Sequence, residues 1–130
     1  MAKWTNDSVL DVLLKFISGD TISNDVTNNR NLSVDSAQPT TRTEAITTYK
    51  LATTTLTKVD DFTIADDTSG RKVTTAQKSG ITVDASGTAK YVAICDGTNL
   101  LVVTTCTEQA LTEGNTVTIP AFKISVSDPT

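Results

Sequence analysis

Beyond Lys50 the chain is cut at short intervals by turn-forming clusters: Asp66-Asp67-Thr68-Ser69-Gly70, Ser79-Gly80, Ser86-Gly87, Asp96-Gly97-Thr98-Asn99, Glu113-Gly114-Asn115 and Asp128-Pro129. The stretches between them are short and rich in β-branched residues. Threonine alone makes up 26 of the 130 residues, and its branched Cβ stiffens χ1 and suits a half-exposed strand face. This punctuation predicts strands over 50–58, 62–65, 71–77, 81–84, 89–95, 100–106, 116–119 and 122–126. A short strand at Leu32 and Val34 precedes Gln38-Pro39, and Thr41 to Ile46 fits one helical turn. Turn signals at this spacing mark an antiparallel all-β sandwich or barrel. A chain of 130 residues is one domain's worth, able to bury about two-thirds of its unfolded surface.

The first 19 residues have a different period. Leu10, Leu13, Leu14 and Ile17 fall at i, i+3, i+4 and i+7, one apolar stripe of a helix. Thr5 or Asn6 can cap its start, Ser8 with Asp11 resembles a capping box, and Gly19 supplies the stop. A helix of about three turns is marginal alone, so the stripe must dock on the chain's own sheet or on a neighbouring subunit. Residues 20–31 are polar and rich in Asn. They read as a connector, or as an arm that orders on a partner through Asn28, Asn29 and Arg30. The expected organisation is therefore a single domain: docking helix 1–19, polar loop or arm 20–31, and a compact β-sandwich over 32–130.

The hairpin around Asp96–Asn99 is apolar on both faces. Pairing Cys95 with Leu100 and continuing without interruption sets Ile94 opposite Leu101 and Val92 opposite Val103. One face then carries Val92, Ile94, Leu101 and Val103, and the other Tyr91, Ala93, Cys95, Leu100 and Val102. A strand pair wet on one side alternates with polar residues, so this one should be covered twice, with the N-terminal stripe or another subunit as the second cover. The same register puts Cys106 six positions beyond the partner of Cys95, on the order of 20 Å away at 3.3 Å per residue. A disulfide needs Cα atoms within about 7 Å. Both cysteines are thus expected to be reduced and half-buried, with an intermolecular bond as the alternative.

The composition limits the chemistry. There is no histidine, which removes the Ser-His-Asp triad, the Cys-His pair and every His-ligated zinc site. Glu44, Glu108 and Glu113 are the only glutamates. The net charge of −4 argues against a sequence-independent nucleic-acid binder or an anionic-membrane binder. No apolar run of 18 residues is present to span a membrane, and Asp7 and Asp11 interrupt anything resembling a secretory segment. Asp60-Asp61 and Asp66-Asp67 could supply calcium oxygens, but the EF-hand spacing is absent and Asp is common beside turns. Thr68-Ser69-Gly70-Arg71-Lys72 lacks the Walker spacing and reads as a turn. The expectation is a protein with no catalytic residue, no cofactor and no metal.

Several blocks occur in a recognisable order: Trp4…Asn6-Asp7…Val9-Leu10-Asp11, Ser36-Ala37-Gln38-Pro39-Thr40, Tyr49-Lys50-Leu51-Ala52, Thr68-Ser69-Gly70-Arg71-Lys72-Val73, Ser86-Gly87-Thr88-Ala89, Asp96-Gly97-Thr98-Asn99-Leu100-Leu101, Gly114-Asn115-Thr116-Val117-Thr118-Ile119-Pro120 and Asp128-Pro129. This order resembles a family of small virion structural proteins of tailed bacteriophages, of the head-decoration and minor virion type. The resemblance spans nearly the whole chain except 20–31. It implies a helix followed by a compact β-sandwich with no catalytic residues. It also implies manufacture in the host cytoplasm and a place on the outer capsid surface. The partners would be the major capsid protein and other copies of the chain, with a trimer favoured. A tail, collar or fibre-associated adaptor is the alternative. A carbohydrate-binding module would need an aromatic platform that Trp4, Phe16, Phe62, Phe122, Tyr49 and Tyr91 do not suggest, and a hydrolase would lack a base.

Overall fold

The computed structural model describes Leu14, Ile17, Ser18 and residues 29–128. Nine strands account for most of these: β1 (Asn29–Asp35), β2 (Lys50–Thr57), β3 (Phe62–Asp66), β4 (Arg71–Thr75), β5 (Lys78–Thr82), β6 (Gly87–Cys95), β7 (Leu100–Leu111), β8 (Thr116–Ile119) and β9 (Lys123–Val126). The protein is mainly β, and every strand pairing is antiparallel. A four-stranded sheet has the order β2-β1-β6-β7, a second has β3-β4-β9, and β5 pairs with β8.

The three sheets share one apolar core. Alternation along β1 turns Leu32 and Val34 to the same side, where they join Ala52, Leu56, Val92 and Ile94 of the four-stranded sheet. Ile81, Val83 and Ile119 close on them from the β5–β8 pair, with Phe62, Phe122 and Ile124 packed at the margin. Turn chemistry sets the connections. Gly70 lies at φ +76°, and a Cβ there would overlap the carbonyl oxygen of Val126, so the Asp66–Gly70 turn admits no larger residue without movement. At the hairpin, the buried Asp96 carboxylate accepts hydrogen bonds from the amides of Thr98 (2.7 Å) and Asn99 (2.5 Å), an Asx-type turn.

Four expectations change. The stretch read as polar loop ends earlier than residue 31, because Asn29, Arg30 and Asn31 already pair with Thr57, Leu56 and Thr55. Ser79-Gly80 is not a turn between strands but an irregularity inside β5, with Gly80 at φ +69°, as bulges that seat a left-handed glycine require. In the β6–β7 hairpin Cys95 does face Leu100, but a register shift follows at once, so Ile94 pairs with Val102 and Ala93 with Val103. One extra residue flips the downstream side chains: Val102 packs on the main core, and Val103 on the opposite side. The cover described on that opposite side is one that the sequence reading did not name. A π-helical turn, Glu44–Thr48, closed by the Tyr49 amide on the Glu44 carbonyl (2.8 Å), lays Ala45 and Ile46 over Ala93, Cys95, Leu100 and Val103.

Candidate interaction surface

The residues expected to mediate interaction fall in three groups. Leu10, Leu13 and Asn28 lie outside the described residues. Leu14 and Ile17 are helical, Leu14 fully buried and Ile17 half-buried. Asn29 opens β1 opposite Thr57. Arg30 follows it, 1% exposed, and its Nε donates to the Ile17 carbonyl at 3.2 Å. Arg30 is therefore spent tying the helical residues to β1, and is not displayed on an arm.

On the side of the four-stranded sheet beneath the π-helical turn, Ser33 and Asp35 project from β1, Ser33 opposite Ala93 and Asp35 opposite Tyr91 of β6. Asp35 is fully buried. Its Oδ2 accepts from Ser33 Oγ at 3.0 Å, while Oδ1 has no hydrogen-bond partner. Burial pushes its carboxyl up to about 7 against the opposing pull of the Ser33 hydroxyl. The Cys95 thiol is pushed up to about 11 by the same burial, and Cys106, half-buried, is raised too. Neither is a poised nucleophile. The two cysteines lie on opposite sides of the sheet, Cys95 under the π-helical turn and Cys106 against the main core, a geometry that separates them further than their spacing along the hairpin.

The paired aspartates do separate structural work. Asp61 is 5% exposed; its oxygens accept from Lys78 Nζ (2.8 Å) and the Thr57 amide (2.6 Å). Burial raises its carboxyl, but the bonds from Lys78 and Thr57 outweigh it and leave the group lowered. Asp67 accepts from Ser125 Oγ (2.6 Å), Lys123 Nζ (2.9 Å) and the Thr68 amide (2.9 Å). These hold its carboxyl far below the usual carboxylate range. This cluster ties the Asp66–Gly70 turn to β9. Among the described residues, no three His, Cys, Asp or Glu side chains converge as a metal site would need.

Two features face outward. A cleft of about 240 Å³ runs along β7, lined by Val34, Ala89, Val92, Cys106, Val117 and Ile119. Among the described residues, β7 has β6 as its one strand neighbour and forms a margin of the four-stranded sheet. The doubly apolar hairpin pointed to this region from sequence, but its length did not, because β7 runs five residues past the predicted end at Cys106. Little local signal was available: in Thr107-Glu108-Gln109-Ala110-Leu111 only Thr107 favours a strand, and the segment merely carries no Gly or Pro to end one. No helix among the described residues is long and apolar enough to cross a membrane. No protein-family model, curated protein or solved structure matches the chain.

Proposed function

We propose that the chain is a structural virion protein of a tailed bacteriophage, a capsid decoration protein that binds the outer face of the major capsid protein. Its three sheets are read as a compact β-sandwich, with the residues ahead of β1 forming a docking helix. The observation that supports this most is where the resembling blocks fall. Thr68-Ser69-Gly70, Asp96-Gly97-Thr98-Asn99 and Gly114-Asn115 occupy turns, in which Gly70 and Gly114 hold positive φ and the Asp96 carboxylate accepts from the amides of Thr98 and Asn99. Turn-forming roles at these positions support reading the blocks as marks of an architecture. The mechanism is burial: one standard interface of about 1,600 Å² per copy, repeated over a shell, resists internal pressure through avidity. No catalytic step, cofactor, nucleic acid or membrane enters it. The alternative, a tail, collar or fibre-associated adaptor, would use the same scaffold at another position.

The deciding experiment is co-sedimentation of the purified chain with assembled capsid shells and, separately, with purified tails, followed by cryo-EM of the pelleted particles. Stoichiometric density on the outer shell supports decoration. Binding to tails alone replaces it with the adaptor reading, and binding to neither removes both.

A further inference from the structure

The apolar packing of the described residues falls into two unequal parts. The main core joins all three sheets, whereas the cluster on the other side of the four-stranded sheet buries only Ala45, Ala93 and Cys95. The segment 36–49, which carries the π-helical turn, lies over this smaller cluster. Of its residues only Pro39 and Ala45 are buried. Its bonds mostly hold its own shape: the Ser36 amide donates to the Tyr49 carbonyl (3.0 Å), and Glu44 accepts from the amide (3.0 Å) and hydroxyl (2.6 Å) of Thr40. Arg42 Nε, donating to the Asp96 carbonyl at 2.7 Å, ties it to the hairpin. Segments with few buried apolar contacts open at lower cost than the core beneath them.

Asp35 stands where this segment leaves the sheet. It ends β1 at a register shift, immediately before Ser36, and it is fully buried with Oδ1 unpartnered. The groups around it are committed elsewhere. Lys50, opposite on β2, pairs with Asp84 at 3.2 Å. On the segment, Arg42 holds the Asp96 carbonyl, and Glu44 and Tyr49 bond to each other. The Asp96 carboxylate is taken by two amides of its own turn. Tyr91 and Cys95 on β6 and Cys106 on β7 bring no positive charge. A carboxylate ionised here would be a buried anion with one hydrogen bond, a costly state until water reaches it. We propose that loss of the Asp35 proton opens segment 36–49 as a unit while the sheets stay folded, making the π-helical turn a proton-operated cover over Ala93, Cys95, Leu100 and Val103. Opening hydrates the carboxylate and gives up little buried apolar surface, because the main core lies on the other side of the sheet. The closed carboxyl is raised from 3.8 to about 7, so the proton favours closure fully below the lower value, and this support is lost as pH rises through the upper one. By linkage the opening constant grows roughly eightyfold from pH 5 to pH 8 and then levels off. This inference does not depend on the virion reading.

Amide hydrogen exchange on the full chain from pH 5 to pH 9, with each rate divided by that of the same amide in an unstructured peptide, reads the opening directly. The amides of Ser36, Ala45 and Tyr49, each bonded within the segment or its short lead-in, should lose protection roughly eightyfold between pH 5 and pH 8 and level off above it. Their exchange should respond little to urea below the unfolding transition, as local openings do. Amides of β1, which has strand neighbours on both sides, should stay better protected at every pH and follow the urea slope of global unfolding. Asp35→Asn keeps an acceptor for Ser33 Oγ and should abolish the pH dependence at the three segment amides. Should that variant fail to fold, the unmodified chain still decides, because its profile must bend near pH 7 and the sequence has no histidine to bend it instead. Segment amides with pH-independent protection, a profile without the bend, exchange at the urea slope of β1, or an unchanged profile in the Asn variant each overturns the proposal.

Discussion

Asp35 gives this chain a pH-dependent stability that can be isolated from every other side chain. Its carboxyl is fully buried, with one oxygen bonded to Ser33 and the other unpartnered. Burial raises it from 3.8 to about 7. The folded state therefore holds a proton that the unfolded chain has released, so stability is greatest below the unfolded value and falls as pH rises toward 7. A shift of roughly three units corresponds to about 4 kcal/mol over the whole range. Between pH 5 and pH 8 the linkage relation leaves about 2.5 kcal/mol of that change. The window is clean because the sequence has no histidine and both thiols are raised. Urea denaturation at pH 5, 6, 7 and 8 should show the midpoint falling by about 1 M or more, for an m-value in the usual 1–3 kcal/mol/M range. Asp35→Asn keeps an acceptor for Ser33 Oγ and cannot ionise, so its midpoint should be nearly flat over the window and exceed that of the unmodified chain at pH 8. A flat profile in the unmodified chain, or an equal slope in the Asn variant, would refute the reasoning.

Three further outcomes are expected. Gly70→Ala forces a Cβ onto the Val126 carbonyl at a positive φ and should cost about 1–3 kcal/mol of unfolding free energy, read by thermal or urea denaturation; an unchanged midpoint would show that the turn relaxes freely. In the native protein Cys95 should resist maleimide and Cys106 should react slowly, both labelling fully in denaturant, while Cys95→Ala with Cys106→Ala leaves the circular dichroism spectrum unaltered; fast native labelling of Cys95 contradicts its burial. Lys78→Met leaves the nearly buried Asp61 carboxylate without its cation, and should cost about 1–2 kcal/mol at pH 7 once the partial exposure of Lys78 is allowed for. Because Asp61 is lowered, that loss should shrink as pH falls through and below the ordinary carboxylate range.

Local chemistry written in the sequence determined the strand-rich class. Thr-rich segments between Gly, Asp and Asn clusters have few ways to fold except as short antiparallel strands, and the turns at Asp66–Gly70, Asp96–Asn99 and Gly114-Asn115 follow from side-chain and glycine geometry within a few residues. The double cover of the β6–β7 hairpin was legible for the same reason, since apolar residues on both faces need burial wherever they sit. What covers the second face was not. Ala45 and Ile46 reach it only because β1 and β6 pair across sixty residues of chain, a long-range contact that no local pattern encodes. The register slip after Cys95 has the same origin: both pairings keep an apolar hairpin, and tertiary packing on two unequal covers selects the one that turns Val102 to the main core and Val103 to the side of the π-helical turn. Arg30 and Asp35 show the limit most plainly. In sequence they are ordinary polar residues of a polar stretch, and only the closed fold removes one to hold the Ile17 carbonyl and seals the other, half-bonded, away from water.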